Sequence, residues 1–297
     1  MCTLVAEPGG FFYSIIFFNF LKLQTQFYIP HPLLRGFIQC IMVIDVKVAA
    51  SAGPVVIPYP PTPQNSLFFY IDDPIQVQFD DTGGFVLQPR SVIVGPQLTP
   101  VKIDINQSHK AVRVGFHPGG LYRFLGFSLH EMVDGNYNAA DIFGNAMQRV
   151  QQQLQEAGDF DAIKEVVEQF LLQRLQSLKP VLPFDQAMLQ LMKHNGNTPI
   201  EEIASLSCLS LRQFERVCKQ RIGLPPKLFA RIIRFSKAYR LRENFPLISW
   251  TSIAHECGYF DQMHFIRDFK QFARVAPGII EKELEQAPVR LQGSMRL

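Results

Sequence analysis

The chain has 297 residues and 47% hydrophobic content, which is enough to bury a sizeable core, so a disordered protein is excluded and two domains are favoured. The net charge of +3 says little by itself, but the part before Pro183 holds 12 basic against 15 acidic residues and the rest 17 against 11. Between Ser205 and Val275 thirteen basic residues stand against five acidic ones, as expected of a surface that contacts phosphates. A basic but merely solvated helical face is the alternative.

The cysteines exclude two further classes of protein. The five of them are Cys2, Cys40, Cys208, Cys218 and Cys257, with no C-x-x-C pair, so neither a disulfide framework nor a zinc finger is predicted. A reducing cytoplasm fits this pattern best. Cys208, Cys218 and Cys257 fall at apolar positions of a helical pattern, where a thiol is expected to be buried.

The chain opens with an apolar run from Phe11 to Leu21 that fits neither a signal peptide nor a membrane span. Glu7 precedes the run and no Lys or Arg does, whereas a signal peptide has basic residues there. The run is also shorter than the roughly 20 residues that cross a bilayer. We therefore interpret residues 1–26 as an extension of uncertain structure and expect no membrane partner.

Residues 27–145 show short β-rich runs separated by Pro, Gly and Asp, which predicts an all-β domain. The predicted strands cover 37–48, 66–71, 75–79, 91–94, 101–105 and 112–116. Apolar and polar residues alternate in 75–79 and 101–105, so one face of each strand should meet a core. The proline cluster Pro58, Pro60, Pro61 and Pro63 predicts a loop. We expect a barrel or sandwich of cupin-like type that senses a small-molecule effector or mediates dimerisation.

Residues 146–182 are predicted to be a helical linker. The clearest helix covers 159–178, where Asp159 can cap it and apolar residues form one stripe. Packing of this stripe on the β-rich domain, and pairing with its copy in a second subunit, are both left open. Two prolines then end the helical pattern between Lys179 and Pro183.

Residues 183–297 carry one local pattern twice, which predicts an all-α domain of two helix-turn-helix units. Ile203 and Ala204 precede a cap at Ser210, and Ile253 and Ala254 precede a cap at Asp261, fifty-one residues after the first cap. Residues 226–244 between the units are predicted to form one rigid helix, which begins with a proline. At 1.5 Å per residue it spans roughly 28 Å, close to the ~34 Å between successive major grooves on one side of DNA.

The outward positions of each predicted recognition helix are the candidate DNA-binding residues. They are Arg212, Gln213, Glu215, Arg216 and Lys219 in the first unit, and Gln262, Met263, His264, Ile266, Arg267 and Lys270 in the second. Arg pairs with guanine, Glu with the cytosine amino group and Gln with adenine, while Met or Ile meets the thymine methyl group. Lys and Arg at the far ends, and His264, are expected to contact phosphate.

Other chemistry is less well supported by the sequence. Four histidines of the first half, His31, His109, His117 and His130, are scattered without metal-ligand spacing, so no metal site is predicted. No nucleophile elbow, phosphate-binding loop or dinucleotide motif is present, so neither catalytic residues nor a cofactor are predicted. The alternative from another class is a cupin-like enzyme, or a repair protein with a reactive cysteine, fused to DNA-binding helices.

The last hundred residues resemble the AraC-type transcriptional regulators. The resemblance rests on Ile203-Ala204, the stretch from Ser210 to Gly223, Pro226, Ile253-Ala254, and Gly258 to Phe265 followed by Phe269-Lys270 and Pro277. It implies base-facing roles for Arg212, Glu215, Arg216, Gln262, Met263, Ile266 and Arg267. It also implies double-stranded DNA and the transcription machinery as partners, and leaves a homodimer open.

One residue departs from the pattern of that family. Arg274 stands three residues before Pro277, where the family has a glycine that ends the second recognition helix. We expect that helix end to be distorted or extended. A weaker resemblance to the sensor domain of such regulators covers Tyr28 to Pro30, Leu34 to Phe37, Gly115 to Gly120 and Leu125-Gly126, and implies a cupin-like fold without naming a ligand.

Overall fold

The computed structural model describes residues 2–6, 12–18, 21–50, 53–79, 82–286 and 292. Its fold class is α+β, as predicted, with a β-rich N-terminal part followed by a helical C-terminal part. The strands in the described part of the chain are β1 Cys2–Ala6, β2 Phe12–Phe18, β3 Leu21–Tyr28, β4 Ile38–Val48, β5 Val56–Tyr59, β6 Ser66–Tyr70, β7 Gln76–Gln78, β8 Val86–Leu87, β9 Ser91–Val94, β10 Val101–Asp104, β11 Ser108–Phe116 and β12 Asn136–Asn138.

The strands form two antiparallel sheets that enclose a cavity. The larger sheet has the order β1-β2-β3-β4-β11-β6-β9-β12 and the smaller one β5-β10-β7-β8. Side chains alternate along β4, so that Ile44 and Val46 face the smaller sheet whereas Ile41 and Val43 face the helices. Both faces of the larger sheet are therefore buried at β4, and the β-rich, cupin-like domain is confirmed.

Two expectations about this domain need adjustment. Pro58 lies within β5, so the proline cluster is not wholly a loop; β5 is an edge strand, where a residue without an N–H donor is tolerated. The sheet also begins earlier than residue 27, because β3 starts at Leu21 and pairs with β4 over its whole length. The backbone of β1 and β2 continues this sheet, while residues 11 and 19–20 of the apolar run lie outside the described residues.

Four helices pack on the outer face of the larger sheet. They are α1 Gly120–Leu125, α2 Ala139–Phe143, α3 Asn145–Glu156 and α4 Phe160–Leu172, with 3-10 helices at Leu129–Met132 and Leu175–Ser177. The Asp159 carboxylate caps α4 by accepting a hydrogen bond from the Ala162 amide at 2.8 Å. The helix ends at Leu172 rather than 178, because the chain tightens into the second 3-10 helix. The apolar stripe of α4 packs on the β-rich domain of its own chain.

The helical C-terminal part is built around one central helix. Its helices are α5 Pro183–Lys193, α6 Ile200–Leu206, α7 Leu211–Ile222, α8 Pro226–Asn244, α9 Trp250–Glu256, α10 Gln262–Phe272 and α11 Pro277–Gln286. Within α8, the Phe235 ring centroid lies 5.0 Å from that of Phe269 and 5.3 Å from that of Phe272, both on α10. The buried residues of α5 to α11 form one hydrophobic cluster, so the two helix-turn-helix units share a core. Within the described residues, no helix has the length and apolar character needed to cross a bilayer.

Candidate nucleic-acid interface

The first helix-turn-helix unit consists of α6 and α7, and a reciprocal cap fixes where α7 begins. The Ser210 hydroxyl accepts a hydrogen bond from the Gln213 amide at 3.4 Å, and Gln213 Oε1 accepts one from the Ser210 amide at 3.0 Å. Phe214 and Cys218 are buried on the face toward α6 and α8. The cap and the buried face together determine which side chains of α7 point outward.

The outward face of α7 carries a cluster of charged side chains. Arg212, Glu215, Arg216 and Lys219 are exposed, and none of their side chains forms a hydrogen bond or ion pair with another residue of the described chain. Gln213 is exposed as well, but its amide oxygen belongs to the cap. The four charged side chains are thus available to a partner without breaking any internal contact.

The second unit consists of α9 and α10, and an aspartate caps its second helix. Asp261 Oδ1 accepts a hydrogen bond from the His264 amide at 2.8 Å, and Oδ2 lies 2.9 Å from His264 Nδ1. These hydrogen bonds hold the pKa of the Asp261 carboxyl below its usual value, so the cap is charged at neutral pH. The His264 ring is consequently held beside the cap, at the N-terminal end of α10.

The outward face of α10 is less charged than that of α7. Met263 is 67% exposed, and the side chains of Arg267 and Lys270 are exposed without a hydrogen bond or ion pair among the described residues. The Gln262 side chain donates to Thr251 Oγ1 on α9 at 2.9 Å. Ile266 is half-buried and packs against the shared core, so it does not stand outward as expected. Burial of its β-branched side chain leaves Met263 as the exposed apolar residue of this face.

The turns of the two units differ at one equivalent position. In the second unit Gly258 has a φ of 76°, and a Cβ there would lie 2.6 Å from the Asn197 side-chain amide. In the first unit Cys208 takes this place with a φ of 56°, and it is exposed, so the expectation of a buried thiol was wrong. Cys218 and Cys257 are buried as expected, and burial raises the pKa of both thiols, that of Cys257 to about 12.

Arg274 does not extend or distort the second recognition helix. The helix ends at Phe272, and Arg274 adopts a left-handed φ of 62°, the conformation that a glycine adopts readily at this place. Such a conformation costs a residue with a Cβ about 1–2 kcal/mol. The chain therefore makes the usual helix stop with an unfavourable residue, and the exposed Arg274 side chain adds a positive charge beside α10.

Several basic residues of the central helix α8 form ion pairs or hydrogen bonds within the domain. Arg231 forms an ion pair with Asp268 on α10 at 2.6 Å, and Lys237 forms one with Glu256 on α9 at 3.1 Å. Arg234 donates to the Gly196 carbonyl at 2.5 Å. The excess of basic residues between 205 and 275 thus overstates the free positive charge, which lies mainly on α7 and α10.

One arginine joins α7 to two other parts of the molecule, a role that the sequence analysis missed. Arg221 forms an ion pair with Asp185 on α5 at 2.7 Å, with the two side chains only 5% and 7% exposed. Its guanidinium also lies 4.6 Å from the centre of the Tyr122 ring on α1. Next to it, His130 Nδ1 lies 3.1 Å from the Gly223 carbonyl. The C-terminal end of the first recognition helix is thereby anchored to the N-terminal domain.

The second unit faces the N-terminal domain across a cleft of about 440 Å³. The cleft is lined on one side by Phe79 and Lys102 and on the other by Arg274 and Ile280. The two units therefore relate differently to the N-terminal domain: the first touches it directly, while this cleft separates the second from it. Among the described residues, no group of His, Cys, Asp and Glu side chains is arranged to hold a metal ion.

Comparisons with known proteins agree with this arrangement. Residues 203–282 match a family model described as a helix-turn-helix domain, and residues 26–138 match one described as a domain of unknown function. The chain is 28% identical over 121 residues to an uncharacterized HTH-type transcriptional regulator of Haemophilus influenzae, an alignment that covers 40% of this chain and 39% of that protein. It is 38% identical over 71 residues to the HTH-type transcriptional activator RhaS of Klebsiella pneumoniae, covering 24% and 25%. The chain thus aligns with well under half the length of these relatives.

Among solved structures, ToxT from Vibrio cholerae O395 matches with 15% identity and a TM-score of 0.44, covering 78% of this chain and 96% of that one. That score is too low to establish a common fold. The assignment of the C-terminal domain rests instead on the matched family model, the capped and duplicated helical units, and the curated relatives. The C-terminal part of this chain is an AraC-type helix-turn-helix domain, the domain that it shares with HTH-type transcriptional regulators.

Proposed function

We propose that the protein is a sequence-specific, DNA-binding transcription regulator whose β-rich domain responds to a small-molecule effector. The observation that carries the proposal is the pair of capped helices, α7 and α10, whose outer faces bear cations without internal partners. A helix of this kind enters the major groove while its buried face stays on the domain core. Proteins of this type act in the cytoplasm on double-stranded DNA, and contact with the transcription machinery follows from the regulatory role.

The outward residues divide into those that read bases and those that hold the backbone. In the first unit Arg212 and Arg216 are proposed to pair with guanine and Glu215 to accept from cytosine, while Lys219 contacts phosphate. Gln213 can contribute only if its amide leaves the cap. The first unit therefore supplies most of the hydrogen-bonding readout.

In the second unit, Gln262 is proposed to read adenine and Met263 to meet a thymine methyl group. Arg267 reads guanine, and Lys270 and His264 contact phosphate. Ile266 keeps only a supporting role because it is half-buried.

We propose that the chain has three regions: a β-rich sensor domain at 27–145, helices at 146–182 and a DNA-binding domain at 183–297. The 19-residue helix α8 links the two recognition helices. Its length of roughly 28 Å is compatible with readers placed in successive major grooves on one face of the duplex. One chain would then cover about two grooves, and a homodimer is not required for a long site.

Selection of bound sequences from random DNA tests the proposal and gives the length of the site. With the selected site, Arg216→Ala and Arg267→Ala are each expected to lose about 1–3 kcal/mol of discrimination between matched and mismatched bases. Arg149→Ala removes an exposed arginine of α3 and is the matched control, expected to bind like the wild type. Affinity should also fall steeply with salt, because several phosphates are neutralised. Unchanged discrimination in both arginine variants, or a flat salt response, contradicts the proposal.

A further inference from the structure

The cavity between the two sheets is apolar over most of its wall but contains one cationic side chain. Its volume is about 90 Å³, and Met42, Ile44 and Val77 are among the apolar residues that line it. Arg113 on β11 points into it from the larger sheet, on the face opposite to Val112 and Val114. The only other polar groups in this wall are uncharged amides, hydroxyls and one imidazole among the described lining residues.

The Arg113 guanidinium is hydrogen-bonded through two of its nitrogens, but the third has no hydrogen-bond partner. Its side chain is only 1% exposed, and its Nε donates to Ser66 Oγ at 3.0 Å while Nη2 donates to Gln64 Oε1. The Phe68 ring, opposite Arg113 on β6, lies 5.9 Å from the guanidinium. The third nitrogen, Nη1, is buried without a hydrogen-bond partner. A buried donor left unpaired is costly, so this atom marks a place for an acceptor that the protein itself does not supply.

The charge of Arg113 is not balanced inside the cavity. No Asp or Glu lines the cavity among the described residues, and the two partners of Arg113 are neutral. A charged group buried without a counter-ion is strongly disfavoured unless an ion of opposite sign joins it. His109, which also lines the cavity, does not add a second positive charge, because burial lowers its pKa to about 4. Glu243 of α8 acts, like Arg113, on the Tyr59 hydroxyl, but it does not line the cavity, so a ligand with one negative charge and a mainly apolar body would complete the site.

We propose that the cavity binds a compact monocarboxylate, whose carboxylate accepts a hydrogen bond from Arg113 Nη1 and whose apolar body lies against Met42, Ile44 and Val77. The unpartnered Nδ1 of His109 and Oδ1 of Asn136 offer hydrogen bonds to a second polar group of the ligand. Size limits the ligand: an apolar cavity of ~150 Å³ holds benzene, and this cavity, at about 90 Å³, is smaller, so an acid of roughly two to four carbon atoms fits better than a longer one.

Two residues of the cavity wall connect it with the DNA-binding domain. Gln97 lines the cavity, while its neighbour Leu98 packs against the hydrophobic cluster of the DNA-binding domain. Tyr59 also lines the cavity, and the charge of Glu243 on the central helix α8 acts on its hydroxyl, as does that of Arg113. Ligand in the cavity can therefore be sensed by α8. This regulatory consequence, unlike the binding itself, rests on the proposed function.

The test measures ligand binding directly, with the full chain and without DNA. Propanoate and butanoate are titrated by calorimetry and thermal shift at pH 7 against propanamide and butanamide, their neutral counterparts. We expect the acids to bind about 10- to 100-fold more tightly than the amides, since hydrogen bonds to charged groups are stronger. Arg113→Met should abolish this preference, Arg113→Lys should keep part of it, and Arg149→Met should change nothing.

Three results would overturn the proposal. They are equal binding of acid and amide, no binding of either acid, and full preference for the acid in a folded Arg113→Met variant. If Arg113→Met does not fold, the comparison of acid with amide on the wild type is decisive alone. DNA binding of the same preparation is measured separately. Intact sequence-specific DNA binding without acid binding would therefore refute this inference and leave the proposed function standing.

Discussion

The ion pair between Arg221 and Asp185 should be one of the costliest places to mutate outside the hydrophobic core. Arg221 Nε and Nη2 form hydrogen bonds of 2.7 to 3.1 Å with both carboxylate oxygens of Asp185, and both side chains are almost fully buried. Removing one partner leaves the other charged and desolvated, which costs about 3–5 kcal/mol. We expect Arg221→Met and Asp185→Asn each to destabilise the C-terminal domain by that amount, a large part of the stability of a typical domain.

The assay is urea unfolding of the full chain, followed by the fluorescence of Trp250, its only tryptophan, which lies in the C-terminal domain. The double variant Arg221→Met/Asp185→Asn removes both charges and should lose much less than the sum of the two single losses. Arg149→Met is the control for loss of an exposed arginine. Single losses below about 1 kcal/mol, or additive losses in the double variant, would refute the reasoning that a buried pair holds α7 in place.

Two further predictions concern the backbone at Arg274 and the buried imidazole of His109. Because Arg274 has a left-handed φ of 62°, Arg274→Gly should stabilise the C-terminal domain by about 0.5–1 kcal/mol in the same urea assay. Arg274→Ala keeps a Cβ and should not stabilise it. Equal effects of the two substitutions would count against backbone strain at this residue. Burial lowers the pKa of His109 from 6.5 to about 4. The free energy of unfolding should therefore decrease by about 3 kcal/mol as the pH falls from 6.5 to 4, because the unfolded chain takes up a proton on His109 and the folded protein does not. His109→Gln should lack this loss in thermal unfolding followed over pH, and an identical pH profile for both proteins would contradict it.

Local signals made the helical units predictable. A cap residue such as Ser210 or Asp261 determines a helix start through hydrogen bonds within four residues, so the sequence alone identifies it. The β-rich domain could also be predicted, because alternation along a strand needs no knowledge of its partner. Ile266 shows the limit of this reasoning: its helical position allowed an outward side chain, and the neighbouring core decided otherwise.

The sequence alone could not predict which side chains far apart in the chain form ion pairs or hydrogen bonds with each other. Arg221 and Asp185 are 36 residues apart, and Arg113 meets Gln64 across 49 residues. One signal for Arg113 was available, since it lies between Val112 and Val114 in a strand with both faces buried, and must therefore point into the second layer. A charged residue at an inward strand position deserves to be treated as a candidate ligand contact.

The unequal attachment of the two helix-turn-helix units implies that they report differently on the N-terminal domain. Arg221 and Gly223 attach the first unit directly to the N-terminal domain, so the first unit should move together with that domain. The second unit lies across the cleft and shares its core with the first, so it is coupled to the N-terminal domain mainly through the first unit and the central helix α8. A structural change in the β-rich domain would then act first on α7 and reach α10 through that shared core. The half-site read by α7 would therefore respond to the regulatory signal more directly than the half-site read by α10.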